Sequence, residues 1–288
     1  MDARSGLSGG ELRGIPGAQV SVAYATVALG EMLMVTGLRP AFDLRRHGER
    51  FATRMDWLDS KHSFSFGRHY DPANTHFGLL LVSNDDVVAP GSGFETHPHR
   101  DMEIVTWVLD GGLVHQDSTA HSGLVYPGLA QRMSAGTGIL HSEKNDAWRL
   151  GGGPEHRDPV HFVQMWVVPD APGVAPGYEQ LDITDELTRG GLVTVASGMD
   201  RDRGASAIRI QQRQAALHAA RLGDSGSLAL PTAPYVHLYV ARGAVDVEGA
   251  GRLGTGDALR VTVAEGQRLS ASGEAEVLVW EMHAALAA

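Results

Sequence analysis

Two short stretches of this chain carry side chains that could bind a metal ion. His97 and His99 flank a single proline, and His141 and Glu143 flank a single serine. Residues at positions i and i+2 lie on the same face of a β-strand, so each pair faces in one direction. Three imidazoles and a carboxylate suit Fe(II), Mn, Cu, Ni or Zn, and they leave positions of an octahedral ion open. The spacing therefore predicts a metal site that can also bind a substrate or O2.

Single histidines are more often hydrogen-bonded core or surface groups than metal ligands. The two pairs, however, lie in a histidine-rich segment, because ten of the 14 histidines fall between His62 and His161. For His69, His115 and His121, each taken singly, a structural role is the favoured interpretation.

The residues around both pairs follow a known pattern. Gly91 precedes the first pair and Glu103 follows it, while residues 136–141 (GTGILH) lead into the second pair, with Asn145 downstream. This pattern resembles the two motifs of the cupins, which are small double-sheet barrels that enclose a metal.

Longer stretches narrow the resemblance to the pirin family. They are residues 57–60 (WLDS), 63–66 (SFSF), 96–108 (THPHRDMEIVTWV) and 134–145 (SAGTGILHSEKN). The similarity is close over residues 43 to 180 and looser elsewhere. It implies an all-β bicupin, with two double-stranded β-helix (jelly-roll) barrels and few short helices.

The resemblance also implies roles for individual residues. His97, His99, His141 and Glu143 match the metal ligands of the family, and we interpret Glu143 as both a ligand and a candidate base. No cofactor-binding residue is predicted beyond these four.

Many cupins take their carboxylate ligand from the first motif, which here is Glu103. On a regular strand Glu103 would share the face of His97 and His99. We predict that it lies next to the ligands, where it orients an imidazole or acts as a base. The alternative is a salt bridge to Arg100 or Arg132.

Residues 101–103 and 178–180 resemble bacterial pirin-like proteins, some of which are quercetin 2,3-dioxygenases. The resemblance implies a metal-dependent dioxygenase that opens the ring of a flavonol such as quercetin with O2 and releases carbon monoxide. The expected cofactor is one divalent transition metal, with Fe(II) preferred and Mn, Cu, Ni, Co or Zn as alternatives. A second hypothesis is a non-enzymatic regulatory or stress-response protein that contains a metal and acts through a protein partner.

Composition limits the other classes of function. The formal net charge is −10, and no run of Lys or Arg forms a phosphate-binding stripe, so direct nucleic-acid binding is not expected. The chain has no cysteine, which rules out disulfides and thiolate ligands. The apolar residues 20–38 are interrupted by Glu31, so we predict neither a membrane span nor a signal peptide, and a monomer in a bacterial cytoplasm.

Short clusters of Gly and Pro between apolar runs divide the chain into four predicted regions. Residues 1–42 form a poorly ordered extension, 43–168 the metal-binding barrel, 169–191 a Pro- and Gly-rich linker, and 192–288 a second barrel without metal. His237 has Tyr235 and Tyr239 as its i−2 and i+2 neighbours, so we expect a core histidine there. Trp107 and Trp166 are expected in the core as well.

Overall fold

The computed structural model describes residues 39–287 and the backbone of Thr26–Ala28. Most of the predicted N-terminal extension therefore lies outside the described residues. The described helices are one turn each, and they are α1 (Trp148–Gly151), α2 (Thr184–Leu187) and the 3₁₀ turns His47–Glu49 and Asp200–Asp202. None of them has the length and apolar character needed to cross a membrane.

The remaining described elements are strands, as predicted for an all-β protein. Up to residue 182 they are β1 (Thr26–Ala28), β2 (Ala41–Arg45), β3 (Phe51–Arg54), β4 (Leu58–His62), β5 (Leu80–Val88), β6 (Gly93–His99), β7 (Glu103–Asp110), β8 (Leu113–Asp117), β9 (Ser122–Val125), β10 (Leu129–Ser134), β11 (Ile139–Lys144), β12 (Val160–Val167) and β13 (Gly177–Asp182). Beyond it they are β14 (Val193–Ser197), β15 (Ile208–Arg209), β16 (Ala215–Leu222), β17 (Ser227–Ala229), β18 (Thr232–Arg242), β19 (Ala244–Val247), β20 (Gly251–Gly254), β21 (Ala258–Glu265), β22 (Arg268–Ala271), β23 (Ala275–Met282) and β24 (Ala284–Leu286).

These strands form two double-sheet barrels, which confirms the bicupin prediction. In the first barrel the larger sheet has the order β13-β10-β7-β12-β5-β4-β3 and the smaller sheet the order β6-β11-β8-β9. In the second barrel the orders are β15-β14-β16-β23-β18-β21-β2 and β17-β22-β19-β20. A separate antiparallel pair joins β1 to β24.

Two edge strands lie outside the barrel boundaries that the sequence predicts. The strand β13 falls within the predicted linker, yet it pairs with β10 along its full length in the first barrel. It begins directly after Pro176, and it is an edge strand, so the Pro- and Gly-rich residues before it do not have to join the sheet. The strand β2 is near the N-terminus but pairs with β21 in the second barrel. The N-terminal side of the chain therefore completes the C-terminal barrel.

The barrels pack against each other through an apolar layer. Trp107 of β7, Met165 of β12 and Trp280 of β23 are fully buried members of one cluster that contains residues of both halves. The strands on both sides of this layer are buried on both faces, which explains why they are almost continuously apolar. Trp107 is a core residue, as predicted.

Candidate metal centre

The smaller sheet of the first barrel brings the two predicted pairs together. Antiparallel pairing of β6 with β11 places His97 opposite His141 and His99 opposite Ile139. The strand β6 is an edge strand, which is where Pro98, with no backbone N–H, is tolerated. A register shift then separates His141 from Glu143.

The three imidazoles form a tight group. The ring centroids are 4.4 Å apart for His97 and His141, and 4.8 Å apart for each of these rings and His99. One nitrogen from each ring lies within 4.8 Å of the other two. Two nitrogens bound about 2.1 Å from one ion are at most about 4.2 Å apart, so small side-chain rotations bring all three onto one ion.

The nitrogens are also free to bind. The Nδ1 of His97 is 2.7 Å from the carbonyl oxygen of Glu95; as the donor it leaves Nε2 with a lone pair. The Nε2 of His99 and both ring nitrogens of His141 are buried, and no described group forms a hydrogen bond with them. Buried polar atoms normally have partners, so these atoms fit the coordination of an ion.

Electrostatics keep two of the imidazoles neutral. Burial, together with the neighbouring histidines, lowers the pKa of His99 to about 3 and that of His141 to about 3. Neutral imidazole is the form that binds metals, so these two side chains are ready as ligands at neutral pH. His97 and His99 are half-buried and His141 is buried, so the group faces solvent on one side.

Glu143 lies on the inner side of the group. One possible ligand atom of its carboxylate lies within 4.8 Å of ring nitrogens of His141 and His115. His97 and His99 form their own close group with His141, and Glu143 is not a member of that group. The side chain is buried, and both carboxylate oxygens accept a hydrogen bond from Nε2 of Gln164 at 2.8 Å. The structure thus brings Glu143 next to His141, and its ligand role stays a prediction.

Glu103 does not lie next to the predicted ligands, although alternation along a regular strand would place it on the face of His97 and His99. Asp101 has a φ of 48°, so the chain turns between β6 and β7 and the alternation of faces is interrupted. Val105 and Trp107 share the face of Glu103 on β7 and belong to the layer between the barrels. Glu103 therefore faces the second barrel and not the imidazoles.

The contacts of Glu103 agree with that position. Its Oε2 accepts hydrogen bonds from the Ser134 hydroxyl at 2.8 Å and from the backbone N–H of Gln211 at 3.0 Å. Burial raises the pKa of this carboxyl. The alternative salt bridges are also absent among the described residues, because Arg100 pairs with Asp101 and Arg132 with Glu179.

His115, for which the sequence favours a structural role, lies next to the predicted ligands. Its strand β8 pairs with the other edge of β11, which places His115 opposite Glu143. Its Nε2 is 3.2 Å from Asp117, and its buried Nδ1 has no hydrogen-bond partner among the described atoms. Asp117 stands at its i+2 position, but the pairing of two distant strands is what reveals that His115 lies beside Glu143.

Aromatic side chains surround the imidazoles. The Trp166 ring stands edge-on to His99 with centroids 4.8 Å apart, and Phe66 packs edge-on against Trp166 at 5.7 Å. On the other side Tyr178 packs against His115 at 5.0 Å. Trp166 and Tyr178 are only half-buried. Trp166 thus forms part of the wall of the site and is not a fully buried core residue, although the sequence predicts a core position for it.

The second barrel has no comparable group among the described residues. His237 is fully buried, and its burial and the nearby Arg260 lower its pKa to about 3. Its ring packs near Phe64 of the first barrel, with centroids 5.9 Å apart. His237 is therefore a buried histidine of the barrel interface, as expected for a core residue.

Comparison with known proteins follows the same division into two barrels. A family model described as Pirin matches residues 44–167, and a model described as Quercetinase C-terminal cupin domain matches residues 194–282. A protein of Mycobacterium tuberculosis named "Putative quercetin 2,3-dioxygenase" is 56% identical over 244 residues, which are 85% of this chain and 96% of that protein. The chain belongs to the pirin family.

A further relative and a similar solved structure both come from Escherichia coli. The quercetin 2,3-dioxygenase of strain K12 is 36% identical over 240 residues, covering 83% of this chain and 97% of the relative. The crystal structure of the bacterial pirin YhhW in complex with nickel(II) matches with a TM-score of 0.73 at 34% identity, covering 84% of this chain and 99% of that one. The pirin fold and a cupin-type site for a metal therefore extend to this chain.

Proposed function

We propose that this pirin is a metal-dependent dioxygenase that opens the ring of a flavonol with O2 and releases carbon monoxide. The observation that carries the proposal is the close group of His97, His99 and His141, which has ring nitrogens without hydrogen-bond partners and is half-buried on one side, beside aromatic rings. The names of the similar proteins, quercetin 2,3-dioxygenases, support the same substrate class.

The residues that would hold the metal are the three histidines together with Glu143. A bound divalent transition metal supplies Lewis acidity and redox chemistry toward the substrate oxygen and O2. Fe(II) is our preferred ion, and nickel is a strong alternative because the similar YhhW binds it.

The protein's own groups contribute binding and proton transfer. A flat polyphenol fits against Trp166 and Tyr178, whose half-buried rings border the imidazoles on two sides. The flavonol 3-hydroxyl must lose a proton before the ring becomes electron-rich enough to react. Glu143 is a buried carboxylate with a possible ligand atom within 4.8 Å of His141, and we assign it as the acceptor of that proton.

The test is oxygen consumption by metal-loaded protein with a panel of flavonols, measured together with carbon monoxide release. We expect equal amounts of O2 consumed and carbon monoxide released, and loss of both in His97→Ala. Metal-loaded protein that consumes no O2 with any flavonol would overturn the proposal. That outcome would favour the regulatory hypothesis, in which the metal-containing protein acts through a protein partner.

A further inference from the structure

A chain of hydrogen bonds ends at the Glu143 carboxylate. The indole Nε1 of Trp166 donates to Oε1 of Gln164 at 3.0 Å, and Nε2 of Gln164 donates to both oxygens of Glu143 at 2.8 Å. Gln164 and Trp166 lie on β12 of the larger sheet, whereas Glu143 lies on β11 of the smaller sheet. These hydrogen bonds therefore connect the two sheets across the interior of the first barrel.

The chemistry of its ends determines the orientation of the amide. An indole N–H can only donate, so it must face the amide oxygen of Gln164. An ionised carboxylate can only accept, so it must face the amide nitrogen. Trp166 and Glu143 thus agree on one orientation of Gln164, and the reversed amide would lose both interactions.

Glu143 depends on this amide. Gln164 provides all of the hydrogen bonds that its carboxylate receives from the described residues. The pairing of β11 with β8 is regular here and places Glu143 on the face of His141, but the pairing with β6 changes register between the two residues, so the backbone alone does not determine the direction of the carboxylate. A buried carboxylate without a partner would be costly, so the amide both stabilises it and selects its direction.

We propose that Gln164, held by Trp166, is the positioning residue that orients Glu143 toward the three imidazoles. The inference rests on the proposed metal site and deepens it. The amide hydrogen-bonds both carboxylate oxygens and would hold the carboxylate in a fixed direction when an ion binds.

The experiment compares Gln164→Leu with a matched control, Gln131→Leu. Both glutamines are buried on the same sheet, and both face Thr106 of β7 across neighbouring strands, but Gln131 forms no hydrogen bond with Glu143 among the described contacts. The readouts are the Kd for Ni(II), measured by chelator competition, and the visible absorption bands of Co(II)-substituted protein.

We expect Gln164→Leu to weaken Ni(II) binding by about tenfold to a hundredfold and to shift the Co(II) bands. Gln131→Leu should leave the bands unchanged and the Kd within about threefold of wild type. Trp166→Phe keeps a ring against His99 but removes the donor to the amide, so its effect should be smaller than that of Gln164→Leu. This variant decides the question if Gln164→Leu does not fold.

Folded Gln164→Leu with the wild-type Kd and spectrum would overturn the inference, and so would an equal loss in Gln131→Leu. A wild-type chain that binds no Ni(II) would remove the site itself. Metal binding without turnover of any flavonol would contradict only the proposed reaction, because the readouts for Gln164 do not use activity.

Discussion

The two barrels share a strand order but differ in what fills them. The interior of the second barrel is a cluster of Val, Leu and Ala. In the first barrel a row of buried polar cross-strand partners crosses five strands, and its members are Gln131, Thr106, Gln164, Asn84 and His62. The corresponding row in the second barrel is Leu259, Leu238, Val279, His218 and Thr194, so three of its five members are apolar. The interior of the second barrel is therefore mostly apolar and serves stability. In the first barrel, polar side chains replace part of the apolar packing beside the candidate metal site.

The smaller sheets show the same contrast. The strands β6 and β17 occupy the same place in their sheets, as do β11 and β22. In the first barrel this strand pair places His97 opposite His141, and in the second it places Leu228 opposite Leu269. The comparison teaches that the fold supplies the position and that the side chains decide whether it becomes a metal centre.

The strongest test of the comparison is metal content. We expect about one transition metal per chain, and near-zero content in His97→Ala and in His141→Ala, because each removes a ligand. His283→Ala, on the rim of the second barrel, should keep the wild-type content. Elemental analysis after gentle purification measures it. Two ions per chain, one of them lost in His283→Ala, would contradict the assignment of the metal to the first barrel.

The second test separates the two carboxylates of the first barrel. Glu143→Gln replaces an anionic ligand with a neutral amide, so metal content and turnover should both fall, the latter by about a hundredfold or more. Glu103→Gln keeps acceptors for Ser134 and Gln211, so metal content should be unchanged and stability should move by less than about 1 kcal/mol. Loss of metal in Glu103→Gln alone would instead place the carboxylate ligand in the first motif.

The third test uses the N-terminal side of the chain, which belongs structurally to the second barrel. Deleting residues 1–38 should change the melting temperature by less than about 2 °C, because the only described element it removes is the three-residue strand β1 with its pairing to β24. Deleting residues 1–46 also removes β2, whose Phe42 and Leu44 pack against the core of the second barrel. This deletion should therefore lower the melting temperature by about 5–10 °C. Metal content should be retained in both. A large loss of stability in the shorter deletion would assign a packing role to residues before β2.

The fourth test is the pH dependence of stability contributed by the first barrel. The pKa values of His99 and His141 are lowered to about 3, whereas an unfolded histidine titrates near 6.5. Protons therefore bind the unfolded chain preferentially between these values, and metal-free protein should lose stability as the pH falls below about 6.5. Urea unfolding of wild type and His141→Phe measures this slope, which should be shallower in the variant. Identical slopes would mean that His141 titrates normally when folded.

The smallest effect concerns Glu281 of the second barrel. Burial opposes its ionisation, but hydrogen bonds from His218 and His283 and the Arg201 guanidinium outweigh burial and hold the pKa far below its usual value. The stability from this carboxylate is complete above the unfolded pKa of about 4.5 and is lost as the pH falls further. In urea unfolding at a series of pH values, Glu281→Gln should flatten the acid limb of the stability curve below about pH 4.5, and an unchanged acid limb would contradict the assignment.

Much of the site could be predicted from local spacing. The pairs His97 and His99, and His141 and Glu143, are recognisable because each lies within three residues of one strand, where alternation determines the face. The same rule failed for Glu103 because it assumes an unbroken strand, and the turn at Asp101 moves the chain to the other sheet. Alternation predicts the direction of a side chain only within one uninterrupted strand.

The sequence by itself determined the all-β class, the two barrels and the family, and it predicted the histidines of the candidate metal site, because these depend on local pattern and on motifs. Only the tertiary structure decided that His115, Gln164 and Trp166 lie at the site and that β2 completes the distant barrel. These facts depend on which strands become neighbours. Strand pairing joins residues far apart in the chain, and no local periodicity records it.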